Sequence, residues 1–226
     1  MKTEVADLVK KGIVRLVLGM VIIGALIFLP AGSLSFWNGW LYLISILALI
    51  SYGFIWMYKF DPKLLERRLR AREKERTQVV FILLSSVLIV GIFILPGLDY
   101  RYSWSHVPPA AVGAVEVLFL SSYFAMLRVM KENRYASRVV EVEEEQRVVD
   151  SGMYGVVRHP MYMAMSVFYM SASVVLGSYV GLIPGILLAF LLTMRIKNEE
   201  KVLERDWKGY REYKEKVKYK MIPYIW

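Results

Sequence analysis

The sequence has no cysteine. A disulfide framework, a thiolate metal site and a cysteine nucleophile are all excluded. Histidine is nearly absent too. Only His106 and His159 occur, too few and too far apart for a histidine-rich metal site. Two glutamines and three asparagines stand against many Lys, Arg and Glu. Scarce amides and cysteine fit a thermophile, and they also fit a membrane protein that is simply poor in amides. Neither a GxGxxG turn after a strand nor a GxxxxGK[ST] loop is present. A nucleotide-like cofactor would therefore be held by helices, not by a Rossmann sheet. No internal repeat or low-complexity stretch is visible.

What the chain has in abundance is apolar length. Of its 226 residues 57% are hydrophobic, with a mean hydropathy of +0.42. That is too apolar for an ordinary soluble domain. Six apolar segments, 13–30, 36–58, 79–96, 109–130, 161–177 and 180–196, approach the length that crosses a bilayer. The first lacks a small-residue cleavage motif and reads as a retained span. The fifth and sixth are short and meet around Ser178 and Tyr179, so a tight helical hairpin is expected. The predicted fold is all-α: a polytopic membrane bundle of about six segments, closed by the hairpin, plus a C-terminal interfacial helix. Residues 1–130 would form the N-terminal transmembrane part and residues 131–226 the functional part.

Charge sorts sharply along this pattern. With six crossings, 28 of the 29 Lys and Arg fall on one face and only Arg101 on the other. The positive-inside rule makes the basic face cytoplasmic, with both termini there. The net charge of +9 is then chiefly a topology signal and an attraction for anionic lipid. Basic residues hug the span ends without forming a separate basic domain, so no nucleic-acid partner is expected. No obligate protein partner is indicated. Residues 197–220, KNEEKVLERDWKGYREYKEKVKYK, are charged with aromatics near a helical period. A surface helix with its aromatics toward the membrane is expected, ending in the anchor MIPYIW.

Two places could carry chemistry. Glu116 lies inside the fourth segment, where an ionisable residue is functional by default or a satisfied packing residue. The stronger concentration is on the basic face. EEEQRVVDSGMYGVVRHPMY enters the fifth segment, and MRIKNEEKVLE leaves the sixth. A hairpin would bring Tyr154, Arg158, His159 and Tyr162 against Arg195, Glu199 and Glu200. Pro160 suits a first helical turn and disfavours a helical His159. His159 should therefore cap a helix whose N-terminus can attract an anion. Arg195 and Glu199 are spaced i, i+4 and share a face, while Glu200 is turned about 100° away. Basic residues commonly flank inner span ends, so Arg-His-Pro also has a purely topological reading.

Order and spacing add to these readings. Gln146-Arg147-Val148-Val149, Ser151-Gly152-Met153-Tyr154 and Arg158-His159-Pro160-Met161-Tyr162 come first. Arg195, Glu199-Glu200, Leu203, Gly209-Tyr210, Tyr213 and Ile222-Pro223 follow. Together they resemble the isoprenylcysteine carboxyl methyltransferase family and, more broadly, the phospholipid methyltransferase group. AGSLSFWNGW, DPKLLERR, GLDYRYSWS and ENRYASR look like its prokaryotic branch, so the resemblance spans almost the whole chain. Met153 departs from it, since many relatives have proline there. The resemblance implies S-adenosylmethionine as cofactor at the cytoplasmic face. Gln146, Arg147, Val148, Val149, Tyr154, Arg158, His159, Pro160, Met161, Tyr162 and Glu199 would line it. Arg195 would face the acceptor, with Glu199 or Glu200 as base where the acceptor is an amine.

The acceptor would be a lipophilic or lipidated molecule entering from the membrane, with a carboxylate favoured by Arg195. A membrane NADPH-dependent reductase of an isoprenoid or sterol-like lipid is the competing enzyme class. A non-enzymatic transporter or scaffold is the third, disfavoured by the absence of a repeat and of a charged intramembrane pathway.

Overall fold

In the computed structural model, residues 2–62, 64–65, 76–133, 149–207 and 209–226 are described. Every regular element among them is helical. Four long helices come first: α1 (Lys2–Ala31), α2 (Trp37–Phe60), α3 (Arg76–Tyr102) and α4 (Pro109–Glu132). After a 3-10 turn at Gly152–Gly155 come α5 (Pro160–Val175), α6 (Leu182–Asp206) and α7 (Tyr210–Lys216). The first four are each long and apolar enough to cross a membrane. α5 has only 16 residues, and α6 is apolar in its first half and charged in its second. They form the expected hairpin, packed side by side. This is a helical membrane bundle.

Its surface and core divide as lipid solvation requires. Val17, Val21, Ile22, Leu29, Leu83, Val87, Val117 and Phe190 are exposed on the long helices, a surface suited to hydrocarbon. Inside, aromatic rings make a continuous stack. Tyr42 of α2 lies 5.6 Å from Phe93 of α3 and 5.5 Å from Phe119 of α4. Phe119 stacks at 4.5 Å on Phe168 of α5. Because apolar helices gain little from the hydrophobic effect within lipid, such packing carries much of the association. α4 lies along α5, α1 along α3, and α3 also meets α6.

One polar knot closes the end opposite the basic face. Asp99, 1% exposed near the end of α3, accepts hydrogen bonds from Ser105 N at 2.7 Å and Ser105 Oγ at 2.5 Å. Ser178 Oγ, in the α5–α6 turn, donates to the same carboxylate. Asn38 of α2 donates to Val175 O at 2.9 Å. The hairpin tip is thereby tied to α2 and α3. Asp99→Ala strands these buried donors and should cost about 3 kcal/mol, read as a lower thermal midpoint in detergent. Asp99→Asn, which keeps an acceptor, should recover part of the loss.

Glu116 is held within the bundle by Ser45 Oγ, which donates to Oε1 at 2.5 Å, while its Oε2 is buried without a hydrogen-bond partner. His106 lies exposed in the loop before α4.

The C-terminal part differs from the expected single surface helix. α6 runs on to Asp206, the chain breaks at Trp207, and Gly209 adopts φ 88°, a left-handed turn that glycine takes without strain. The short α7 then folds back. Tyr210 and Tyr213 are 2% and 6% exposed and pack with Val217, Leu203 and Trp207. These rings cover the protein's own charged cluster and are not laid against lipid. Of the MIPYIW end, Met221 is buried, and Tyr224 and Ile225 are exposed.

Candidate active site

At the basic end three segments meet: the entry to α5, the charged half of α6, and the tail after α7. His159 caps α5 with φ −124° and ψ 61°, and Pro160 takes the first helical position. The φ is the extended value that a residue before proline favours, and the conformation is non-helical, as that position requires. The strand-like entry is held by the tail. Arg158 N donates to Tyr219 O at 2.9 Å and His159 N to Lys220 O at 2.7 Å.

Arg158 and Glu200 form the buried centre, with side chains 3% and 4% exposed. Arg158 Nε donates to Glu200 Oε1 at 2.8 Å. One terminal nitrogen of Arg158 donates to the Val217 and Lys218 carbonyls at 2.6 and 2.8 Å. Lys220 Nζ lies 3.1 Å from Glu200 Oε2, and His159 Nε2 lies 3.4 Å from Oε1. Burial works to raise the Glu200 carboxyl from its ordinary 4.5. Hydrogen bonding and charge from His159 and Arg158 outweigh it and hold the group at about 2.

Glu200 is locked in ion pairs and held well below its ordinary range, which disfavours proton acceptance. Arg158 turns to Glu200 and to the tail's carbonyls. The two together fix the corner.

A second cluster lies beside the first. Tyr162, one turn into α5, donates its hydroxyl to Glu199 Oε2 at 2.6 Å. The Arg195 guanidinium lies 5.9 Å from the Tyr162 ring centre and 4.8 Å from that of Phe81 on α3. The i, i+4 pair on α6 therefore faces α5 as its spacing implied. The His159 and Tyr162 rings are 5.8 Å apart. Tyr154 O accepts from the Tyr213 hydroxyl at 2.8 Å, tying the 3-10 turn to α7.

Among the described residues the buried Tyr210 hydroxyl has no hydrogen-bond partner, and buried His159 Nε2 has only the 3.4 Å contact with Glu200. Burial, followed by the charge of Glu200, pushes Tyr210 to titrate far above its ordinary range, so the hydroxyl remains a donor. Buried polar groups are rarely left unpaired without a reason such as an absent ligand.

Residues 111–209 match the family model described as phospholipid methyltransferase. No curated protein matches the chain. The match begins within α4, takes in the α5–α6 hairpin, and ends at the Gly209 turn. It supports a methyltransferase, and the four long apolar helices support a membrane protein. Arg158, His159, Tyr162, Arg195, Glu199 and Glu200 all lie inside the match. Tyr210, Tyr213 and Lys220, which finish the cluster, lie just beyond it.

Of the remaining sequence-derived residues, Pro160 is buried and Val149 and Met161 are half-buried. Gln146, Arg147 and Val148 fall outside the described residues. Sequence reasoning gave no role to Lys220, to Phe81 or to the carbonyls of Val217 to Lys220. Lys220 is one of ten basic residues after residue 194, and nothing local distinguishes it. Tyr210 and Tyr213 were visible as part of the family pattern, but without a partner.

Proposed function

We propose that the protein is an S-adenosylmethionine-dependent methyltransferase acting on a lipophilic acceptor at the cytoplasmic face. A carboxylate is the favoured nucleophile, as in isoprenylcysteine O-methylation. The observation that carries this reading is the buried Tyr210 hydroxyl, without a hydrogen-bond partner among the described residues, in the corner where His159, Glu199, Tyr162 and Arg195 also meet. These residues fit the donor's chemistry. Glu199 suits an ammonium or ribose hydroxyls. His159 and Tyr210 offer hydrogen bonds. Tyr154 and Tyr162 offer rings for an adenine, or for a sulfonium through cation–π attraction. S-adenosylmethionine would supply a methyl group activated by its sulfonium.

The protein's own task is then placement. In-line methyl transfer depends on holding the nucleophile and the methyl carbon in line and in contact, so positioning supplies much of the rate. Arg195 can orient an acceptor carboxylate with two parallel hydrogen bonds. A carboxylate needs no strong base, which agrees with the unsuitability of Glu200 for that role. The Arg158–Glu200–Lys220 knot keeps the cap of α5 and the tail in register with α6. A site at the base of the hairpin admits a water-soluble donor from the basic end and a lipid-like acceptor from the bilayer. The charge asymmetry supports a cytoplasmic basic end.

Calorimetric titration of detergent-solubilised protein tests this directly. Saturable binding of S-adenosylmethionine and S-adenosylhomocysteine is expected, reduced at least tenfold in His159→Ala and Glu199→Ala; one lost charged hydrogen bond is worth about that much. Binding of NADPH in their place would move the protein to the reductase class.

A further inference from the structure

A second place at the basic end has the makings of a ligand site. Between α2 and α4 runs an open cleft of about 500 Å3, lined by Tyr52, Trp56, Phe124, Leu127, Arg128, Lys131 and Glu132. It shares no lining residue with the Arg195–Tyr162–Glu199 cluster, which α5 and α6 carry. Its walls and its rim differ in character. Tyr52 and Phe124 meet edge-on at 5.4 Å and are each about half exposed, at 50% and 47%. Further along the same helices the exposed side chains are apolar, including Leu47, Val117 and Leu118. The rim is charged: Arg128 has a side chain 69% exposed, and Lys131 is exposed beside it.

Glu132 could be expected to cancel these charges, and its placement limits that. It accepts from Arg128 Nε at 3.0 Å through Oε1 and from Met153 N at 2.8 Å through Oε2. Gly152 permits the second contact. It has φ 58°, and a Cβ there would lie 2.5 Å from the carboxylate. The carboxylate is thus pinned toward the 3-10 turn. Among the described residues Lys131 makes no ion pair. Among the described residues of the rim, two cations stand against one carboxylate.

We propose that this cleft binds the headgroup of an anionic phospholipid. The phosphate would sit against Arg128 and Lys131, and the glycerol and upper acyl chains against Tyr52, Trp56 and Phe124. The charge of the rim, the aromatic wall and the continuous apolar surface beyond it match the three parts of such a lipid in order. Trp and Tyr at headgroup depth are the usual interfacial side chains. The proposal does not depend on the methyl acceptor, because it concerns a different pair of helices and a resident lipid.

The test is native mass spectrometry of the protein released from mixed micelles holding equal amounts of phosphatidylcholine and phosphatidylglycerol. One phosphatidylglycerol should be retained in preference to phosphatidylcholine. The double variant R128Q/K131Q should lower that preference about tenfold, in keeping with the attraction of two basic residues at a membrane surface. Both residues are exposed, so the fold should persist, as an unchanged thermal midpoint will show. A charge-matched pair elsewhere, K10Q/R211Q, should leave retention as it was. Equal retention of the two lipids, undiminished phosphatidylglycerol in R128Q/K131Q, or an equal loss in K10Q/R211Q would each overturn the proposal. The readout is bound lipid mass, so failure of methyl transfer would not affect it.

Discussion

Replacing Glu200 with alanine is expected to be the most destabilising single change at the basic end, lowering stability by about 3–5 kcal/mol. The side chain is 4% exposed and accepts from Arg158 at 2.8 Å with Lys220 at 3.1 Å. Its removal leaves the Arg158 guanidinium buried with no counter-charge. It also releases Lys220, whose carbonyl receives the His159 N–H at 2.7 Å. Truncating one partner of a buried pair costs more than the pair contributes, because the survivor stays desolvated. The pH dependence gives a second measure. A carboxyl that titrates at about 2 when folded, against its ordinary 4.5, contributes about 3 kcal/mol at neutral pH. Since its folded value is depressed, the contribution is fully present above about 4.5. It falls away as the pH drops from there through about 2. The wild-type thermal midpoint in detergent should therefore decline steeply across that interval, and Glu200→Gln should show a flatter decline from a lower start. Equal pH profiles for the two proteins would remove Glu200 from the account of acid stability.

The sequence made the bundle legible because lipid imposes a simple grammar. A run of apolar residues long enough to cross must be helical, since its backbone groups can only satisfy one another. The first four segments became α1 to α4 on that ground alone. The hairpin was legible from the short fifth and sixth segments, and the convergence of Tyr162 with Glu199 followed from it. The C-terminal region was less so. A period of three to four among Val202, Leu203, Trp207, Tyr210 and Tyr213 says that these residues share a side, and it does not say what that side meets. The break at Gly209 turned Tyr210 and Tyr213 onto the Arg158–Glu200 centre and away from lipid. The partner of Arg158 was hidden for a related reason. Glu200 lies 42 residues away, and the carbonyls that share the guanidinium belong to a tail without a local signal. Local chemistry pointed to an anion site at the cap of α5, and tertiary packing spent the arginine on holding that cap in place.

Arg195 and Glu199 should separate kinetically, although they lie one turn apart on α6. Arg195→Ala is expected to lower turnover about 100- to 1000-fold, the scale of losing the orientation of a reacting group. Donor affinity should stay within about threefold. Glu199→Ala is expected to weaken donor binding at least tenfold. The contrast follows from what each touches. The Arg195 guanidinium lies 4.8 Å from the Phe81 ring centre and 5.9 Å from that of Tyr162, a planar group beside two aromatic surfaces. Glu199 accepts the Tyr162 hydroxyl at 2.6 Å, and the Tyr162 ring lies 5.8 Å from that of His159. Arg195→Lys discriminates further. Lysine keeps the charge and loses both the fork of parallel donors and the planar stacking. If Arg195 orients an acceptor carboxylate, lysine should recover less than about a tenth of turnover. Full recovery would mean that only positive charge is needed there, and the case for a carboxylate acceptor would pass to an amine or hydroxyl. Calorimetry for the donor and single-turnover methyl transfer for the rate, run on the same three variants, distinguish these outcomes without knowledge of the natural acceptor's full structure, because any lipophilic carboxylate that is methylated can serve as the reporter.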